Sequence, residues 1–294
     1  MIWKAIRLSS SAVFFLAVIL SQHVSGQTPS PAPSPAPQTS SPSKTLEHEF
    51  FKNILRDQRA IWTSPFHWQR RDARWLAPLG FGTPALIATD RDTANWIAKF
   101  DRQIPASRVV SYTGSTYGAA GIAATFYFVG RARNDARARE TGLLALEALI
   151  DSEIVVTSLK AITGRRRPLA LSDRGDFFKG GRSFPSGHSS HAWALATVIA
   201  HEYHDRRLVQ IGAYGAATAV SISRYTGKKH FLSDILVGSA IGYGIGRYVY
   251  RAHHRQSPSG GTEQSRDTSR WWPLISPTYN RRWQEYGLAL AWTF

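Results

Sequence analysis

A chain of 294 residues with 43% hydrophobic side chains is long enough to bury one substantial core, alone or with appendages. Its formal charge of +16 favours anionic partners, either phosphorylated substrates or a lipid surface. Nucleic acid is not expected, because no recognised binding motif accompanies the charge. Cysteine is absent, which excludes disulfides, thiolate metal sites and a cysteine nucleophile.

The first residues predict an export signal over 1–26. Lys4 and Arg7 form a basic region, Ser11 to Leu20 a short apolar run, and Val24-Ser25-Gly26 a small-residue cleavage site ahead of Gln27. Such a signal would send the protein to a bacterial periplasm or cell envelope. Residues 27–45, rich in Pro, Ser and Ala, cannot bury apolar surface and read as a disordered tether. The ordered domain is expected over 46–250. Helical periodicity runs from Glu47 to Ile61 and from Arg74 to Ile87, the second interrupted by Pro78 and Pro84. Val109 to Gly130 carries no charge and is long enough to cross a bilayer, yet its small polar residues equally suit close packing in water. Leu143 to Ile162 has strong helix propensity and Gly164 to stop it, while Glu147, Asp151 and Glu153 oppose contact with lipid. Further helices are predicted over Gly187 to Tyr203, Leu208 to Ser223 and Leu232 to Tyr250. The fold class expected is all-α, a bundle of about six core helices in a soluble or peripheral envelope domain. Residues 251–294 begin as a polar linker and continue into an aromatic segment. From Tyr286, large residues (Leu288, Leu290, Trp292, Phe294) alternate with Gly287, Ala289, Ala291 and Thr293, the period of a strand. Paired with Leu274 to Tyr279 it forms a short β-type hairpin, packed on the bundle or docking a partner, with no assigned function.

Three clusters within the domain carry the chemistry: Lys160 to Pro168, then Pro185-Ser186-Gly187-His188, then Ser223-Arg224 with His230 and Asp234. Lys160, Arg167 and Arg224 are fixed cations, and paired arginines grip a tetrahedral oxyanion through forked hydrogen bonds. Ser186 and Gly187 offer a hydroxyl and a backbone N–H at a predicted helix start, a favourable seat for an anion. His188 and His230 are the side chains suited to move protons or attack phosphorus near neutral pH. Asp234 stands one helical turn beyond His230 and can hold that imidazole in one tautomer. Arg165 and Arg166 read as solvated cations complementing a helix C-terminus. Lys228 and Lys229 raise the local positive potential, and His191 receives no catalytic role.

Read in order, these clusters fit K-x6-R-P, P-S-G-H and S-R-x5-H-x3-D at every defining position. The pattern resembles the type 2 phosphatidic acid phosphatase (PAP2) superfamily, which also includes bacterial acid phosphatases and vanadium-dependent haloperoxidases, and the resemblance spans about Ala145 to Tyr250. It implies a metal-independent phosphatase working through a phosphohistidine. His230 would attack phosphorus, Asp234 would steady its imidazole, and His188 would protonate the leaving alkoxide and then activate water. Lys160, Arg167, Ser186, Gly187 and Arg224 would hold the phosphate oxygens. Substrates implied are lipid phosphates such as phosphatidic acid, isoprenyl pyrophosphates or small phosphate esters. No cofactor is implied, except vanadate should the pocket serve a haloperoxidase. A non-catalytic envelope binding protein is the third reading, disfavoured by the complete polar set.

Two histidine pairs are weighed as metal sites. His201 and His204 approach a zinc-helix pattern but stand three apart where four is needed. His253 and His254 lie in a basic stretch. Both pairs are expected to be solvated helix residues. Nothing in the sequence specifies an oligomeric state.

Overall fold

The computed structural model describes residues 42–67, 73–169 and 175–254, together with the backbone of 274–280 and 285–291. The predicted signal segment, the tether up to residue 41 and residues 255–273 lie outside the described residues. The chain divides into two units, 1–257 and 258–294.

The first unit is all-α. Its described helices are α1 (Pro42–Thr63), α2 (Ala73–Ala98), α3 (Ile104–Thr113), α4 (Thr116–Ala132), α5 (Ala136–Thr163), α6 (Gly187–Glu202), α7 (Arg207–Thr226) and α8 (Leu232–His253), with a 3₁₀ turn at Ser64–His67. The uncharged run from Val109 to Gly130 does not form one helix. It breaks at Gly114, and the Ser115 hydroxyl accepts the Gly118 N–H at 3.0 Å to start α4 afresh. Among the described residues no helix is long and apolar enough to cross a membrane. Helix α2 passes through Pro78 and Pro84 and continues beyond the predicted end at Ile87, which carries Asp90 into the interior. Helix α5 starts at Ala136 rather than Leu143, because the Asp135 carboxylate accepts the Ala138 N–H. It stops where predicted, with Gly164 left-handed at φ 52°.

Helix α6 is the hub, packed against α5, α7 and α8. It is buried on nearly every side, and its sequence of Ala, Ser, Thr and Val is what a surrounded helix requires. The contact with α8 is unusually close. A Cβ added at Gly238, Gly242 or Gly246 would stand 2.4, 2.0 and 2.6 Å from the carbonyl oxygens of Ser186, Ser190 and Ala194. Three glycines at a spacing of four therefore meet three carbonyls at the same spacing, and backbone lies on backbone with no side chain between. One turn earlier the series ends in a hydrogen bond, Ser186 N–H to the Asp234 carbonyl at 2.9 Å. The Ser152 and Ser190 hydroxyls, 2.6 Å apart, join α5 to α6, and Trp193 Nε1 donates to Ser221 Oγ to join α6 to α7.

At the far end of α8 the expectation of a solvated His253 is overturned. Helix α1 covers it, and His253 is 1% exposed with Nε2 2.9 Å from Asp57 Oδ2 and 3.2 Å from Glu147 Oε1. His254 is half-buried, stacked on Tyr250 and paired with Glu140 and Glu202. His201 is half-buried against the Thr197 carbonyl, while His204 is exposed as expected. In the second unit, β1 (Leu274–Asn280) pairs antiparallel with β2 (Glu285–Ala291), Leu274 opposite Ala291 and Asn280 opposite Glu285. This is the predicted hairpin, with Tyr286, Leu288 and Leu290 sharing one face; Trp292 and Phe294 lie outside the described residues.

The α6–α8 seam makes a paired prediction. Gly242→Ala has no room and should destabilise the protein by about 1–3 kcal/mol through overpacking. Gly244→Ala on the same helix has open space around it and should be neutral or stabilising by about 0.5–1 kcal/mol through helix propensity. Urea unfolding of both variants beside the parent checks the contrast.

Candidate functional site

The three sequence clusters converge at one end of the bundle. Lys160 lies in the last turn of α5, and Arg167 follows in the loop after Gly164. That loop is folded back on itself by Gly181 N–H to the Gly164 carbonyl at 2.8 Å and Ser183 N–H to the Arg165 carbonyl at 2.9 Å. The return strand of the loop delivers Ser186 as N-cap of α6, with Gly187 and His188 in its first turn. Arg224 sits in the last turn of α7, and His230 just precedes α8, which carries Asp234 in its own first turn. Gly187 allows close approach, since a Cβ there would lie 3.0 Å from Lys160 Nζ.

Electrostatics show how near these groups are. Burial pushes the His188 imidazole down to about 3, reinforced by the charges of Arg224, His230, His191 and Lys160. Lys160 is lowered by burial and by Arg167, Arg182 and Arg224, against the opposing pull of Glu153. Arg224 falls to about 10 through burial and its neighbour Arg167. Its guanidinium is held by the Ser111 hydroxyl of α3. Four cations, Lys160, Arg167, Arg182 and Arg224, thus lie within electrostatic reach of one another and of two imidazoles, a field that calls for a multiply charged anion.

His230 and Asp234 form the pair expected from their spacing. His230 Nδ1 donates to Asp234 Oδ2 at 3.4 Å, which leaves Nε2 with the lone pair. Burial lowers the His230 pKa more than Asp234 restores it, so the imidazole is neutral and nucleophilic near pH 7. Asp234 is fully buried. Burial alone would raise its pKa, but hydrogen bonding to His230, the His230 and Arg165 charges, and Ser183 outweigh that and hold the carboxylate below its usual range.

Arg165 is the residue whose role the sequence reading missed. It is not solvated but 1% exposed. Its NH1 donates to Asp234 Oδ1 at 2.6 Å and to Ser233 Oγ at 2.7 Å, its NH2 to Asp90 Oδ2 at 2.8 Å, and its Nε to the Gly175 carbonyl at 3.0 Å. The Phe177 and Phe231 rings cover the guanidinium at 4.7 and 4.3 Å. Ser183 Oγ adds a 2.6 Å bond to Asp234 Oδ2 and Phe231 N–H a 3.0 Å bond. No motif spacing announces Asp90, 75 residues away from Arg165 in sequence, and the run of three arginines disguises the buried one. Lys228 is a second correction. It is buried, its ammonium bonded to the Ala98 carbonyl at 2.8 Å and Asp101 at 2.7 Å, so it anchors the loop before His230 to the end of α2. Lys229 is exposed, and His191 is buried against Glu153 at 2.7 Å.

Residues 141–258, which contain every motif residue from Lys160 to Asp234, match the family model described as the PAP2 superfamily. Similarity to individual proteins is more local. The chain is 38% identical over 69 residues to a lipid A 1-phosphatase of Porphyromonas gingivalis, covering 23% of this chain and 16% of that protein. Among solved structures, a transmembrane PAP2-type phosphatidylglycerolphosphate phosphatase of Bacillus subtilis aligns at 20% identity with a TM-score of 0.49, covering 61% of this chain and 96% of the other. Aquifex aeolicus LpxE aligns at 23% identity with a TM-score of 0.45, covering 54% and 93%.

The network around Arg165 is testable without any substrate. Arg165→Ala should leave Asp90 and Asp234 as buried, uncompensated carboxylates and cost about 3–5 kcal/mol, read from urea unfolding. Arg166→Ala, half-exposed in the same run, should change stability by less than about 0.5 kcal/mol.

Proposed function

We propose that this protein is a phosphatase that removes phosphate from a lipid phosphate through a phosphohistidine. The observation that carries the reading is the convergence of Lys160, Arg167 and Arg224 on His188 and an Asp234-oriented His230. In the first step His230 Nε2 attacks phosphorus, the P–Nε2 bond forms and the P–O bond to the alcohol breaks. His188 gives its proton to the departing oxygen. In the second step His188 takes a proton from water, which attacks the phosphohistidine and releases inorganic phosphate and free His230. Asp234 accepts the other N–H of His230 and stabilises the positive charge that develops on it. Lys160, Arg167, Arg224, Ser186 and the Gly187 N–H hold the equatorial oxygens as charge gathers on them, the work that metal ions do in many other phosphatases.

The lipid assignment rests on the surroundings of the pocket and on the relative named as a lipid A 1-phosphatase. Helix α3 supplies Ser111 to Arg224, and Gly114 at its end abuts the His188 carbonyl. Around that same junction Val109, Tyr112 and Tyr117 are 59%, 69% and 86% exposed. An apolar rim beside an anion pocket suits a substrate with a phosphate head and an acyl or isoprenoid body.

Phosphate release should be measured from phosphatidic acid, an isoprenyl pyrophosphate, a lipid A phosphate and an aryl phosphate, beside His230→Ala. The expected result is release from at least one lipid that falls to background in the variant. Release that survives His230→Ala defeats the covalent mechanism, and a preference for the aryl ester over every lipid defeats the lipid assignment.

The state of His188 makes a second prediction. In the free site burial, reinforced by the surrounding cations, keeps it neutral, with its pKa at about 3, and a general acid must start protonated. A bound dianion cancels that field and raises the pKa, so binding should take up a proton. Calorimetry of sulfate binding at pH 6.5 in buffers of different ionisation enthalpy should show uptake of about one proton per site, absent in His188→Ala. Sulfate does not itself titrate there, and binding with no uptake in the parent protein rules out His188 as the acid.

A further inference from the structure

The cluster beneath α1 has no part in the phosphate chemistry. Asp57 of α1, Glu147 and Asp151 of α5, and His253, the last residue of α8, are all buried. Asp234 opens α8 and His253 closes it, so the two sites are about 28 Å apart along that helix at 1.5 Å per residue. We propose that Asp57, Glu147 and His253, supported by Asp151 and Asn53, form a binding site for one first-row divalent cation such as Zn²⁺ or Mn²⁺, which fastens α1 to α5 and α8.

Geometry is the first argument. One ligand atom from each of Asp57, Glu147 and His253 lies within 4.8 Å of the others. The His253 Nε2 distances to Asp57 Oδ2 and Glu147 Oε1 are 2.9 and 3.2 Å. Donors about 2.1 Å from a shared ion stand about 3.0–3.4 Å apart at octahedral to tetrahedral angles, so little movement is needed to admit one. Charge is the second argument. Three buried carboxyl groups beside one imidazole can exchange their protons for a divalent ion, which then offsets the charge they take on.

Unsatisfied polar atoms point to the same place. Asn53 is fully buried, and neither of its amide atoms has a hydrogen-bond partner. Asp151 Oδ2 is likewise buried without a hydrogen bond, while its Oδ1 accepts from Gln58 at 2.8 Å. Tyr248 OH donates to Asp57 Oδ1 at 3.1 Å, the outer contact that orients a ligating carboxylate. Mixed carboxylate and imidazole donors suit Zn²⁺, Mn²⁺ or Fe²⁺ better than Ca²⁺ or Mg²⁺, which prefer oxygen alone.

The test is metal binding by the full chain after chelator treatment and buffer exchange, with Zn²⁺ or Mn²⁺ alone as the probe. The proposal expects one equivalent per chain, a rise in melting temperature on addition, and affinity at least about tenfold weaker in Asp57→Asn and His253→Gln. His230→Ala should bind as the parent does, which separates this site from the phosphate pocket. No binding by the folded parent overturns the proposal, as does binding unchanged in both variants or lost in His230→Ala. Should a variant fail to fold, X-ray absorption of the Zn²⁺-loaded parent decides. One imidazole with oxygen donors supports the site, and two or more imidazoles overturn it.

Discussion

The arrangement depends first on a buried charge. Arg165 must find anions inside the protein, because a guanidinium without partners there is very costly. It finds two, from helices far apart in sequence: Asp90 midway along α2 and Asp234 at the start of α8. Two phenylalanine rings close over its faces and a loop carbonyl takes the remaining direction. The guanidinium thereby fixes the angle between α2, α8 and the loop after α5. Asp234 is then oriented before it meets His230, so the imidazole inherits a direction that its own contacts, one bond at 3.4 Å, could not impose. The positioning of His230 thus begins two residues upstream of Arg167.

Around that anchor the pocket keeps a surplus of positive charge that the protein itself does not neutralise. Arg165 is spent on internal carboxylates, whereas Arg167 and Arg182 stand exposed and Lys160 and Arg224 are only partly shielded. Neighbouring residues of one basic run thus divide into a buried structural cation and an exposed one. The division follows from backbone direction. Gly164 turns left-handed at the end of α5, sending residue 165 inward and leaving 167 at the mouth. The cost is carried by the free site, where burial and then neighbouring cations lower the pKa values of Lys160, Arg224 and His188. A multiply charged anion would relieve the repulsive part of that cost.

Much of this was legible in the sequence. The three clusters name most of the residues that the bundle gathers at the pocket, though not Arg182 or Ser111, because Pro-Ser-Gly-His and the His-x3-Asp spacing encode local geometry: a helix start, and one turn of helix. Helices α6, α7 and α8 were delimited within a few residues for the same reason. Long-range pairings left no such trace. Asp90 lies in a stretch whose two prolines argued for an early helix end, and the partner of Arg165 could not be told from its charged neighbours. The break at Gly114 was hidden in a run whose composition fitted one long helix as well as two short ones. His253 read as solvated since its burial is imposed by α1, a helix some two hundred positions earlier.

The glycine seam between α6 and α8 gives the molecule a fixed interior ruler. Side-chain packing can be renegotiated, as one residue shrinks and its neighbour grows, but contact between two backbones leaves nothing to trade. The solvent-facing sides of the outer helices α1 to α4 can therefore be resurfaced to suit a colder, hotter or more lipid-rich setting, while the spacing of the α6 and α8 backbones stays as it is. A protein built this way separates the part that adapts from the part that reacts, and the dividing line runs along three residues that have no side chains.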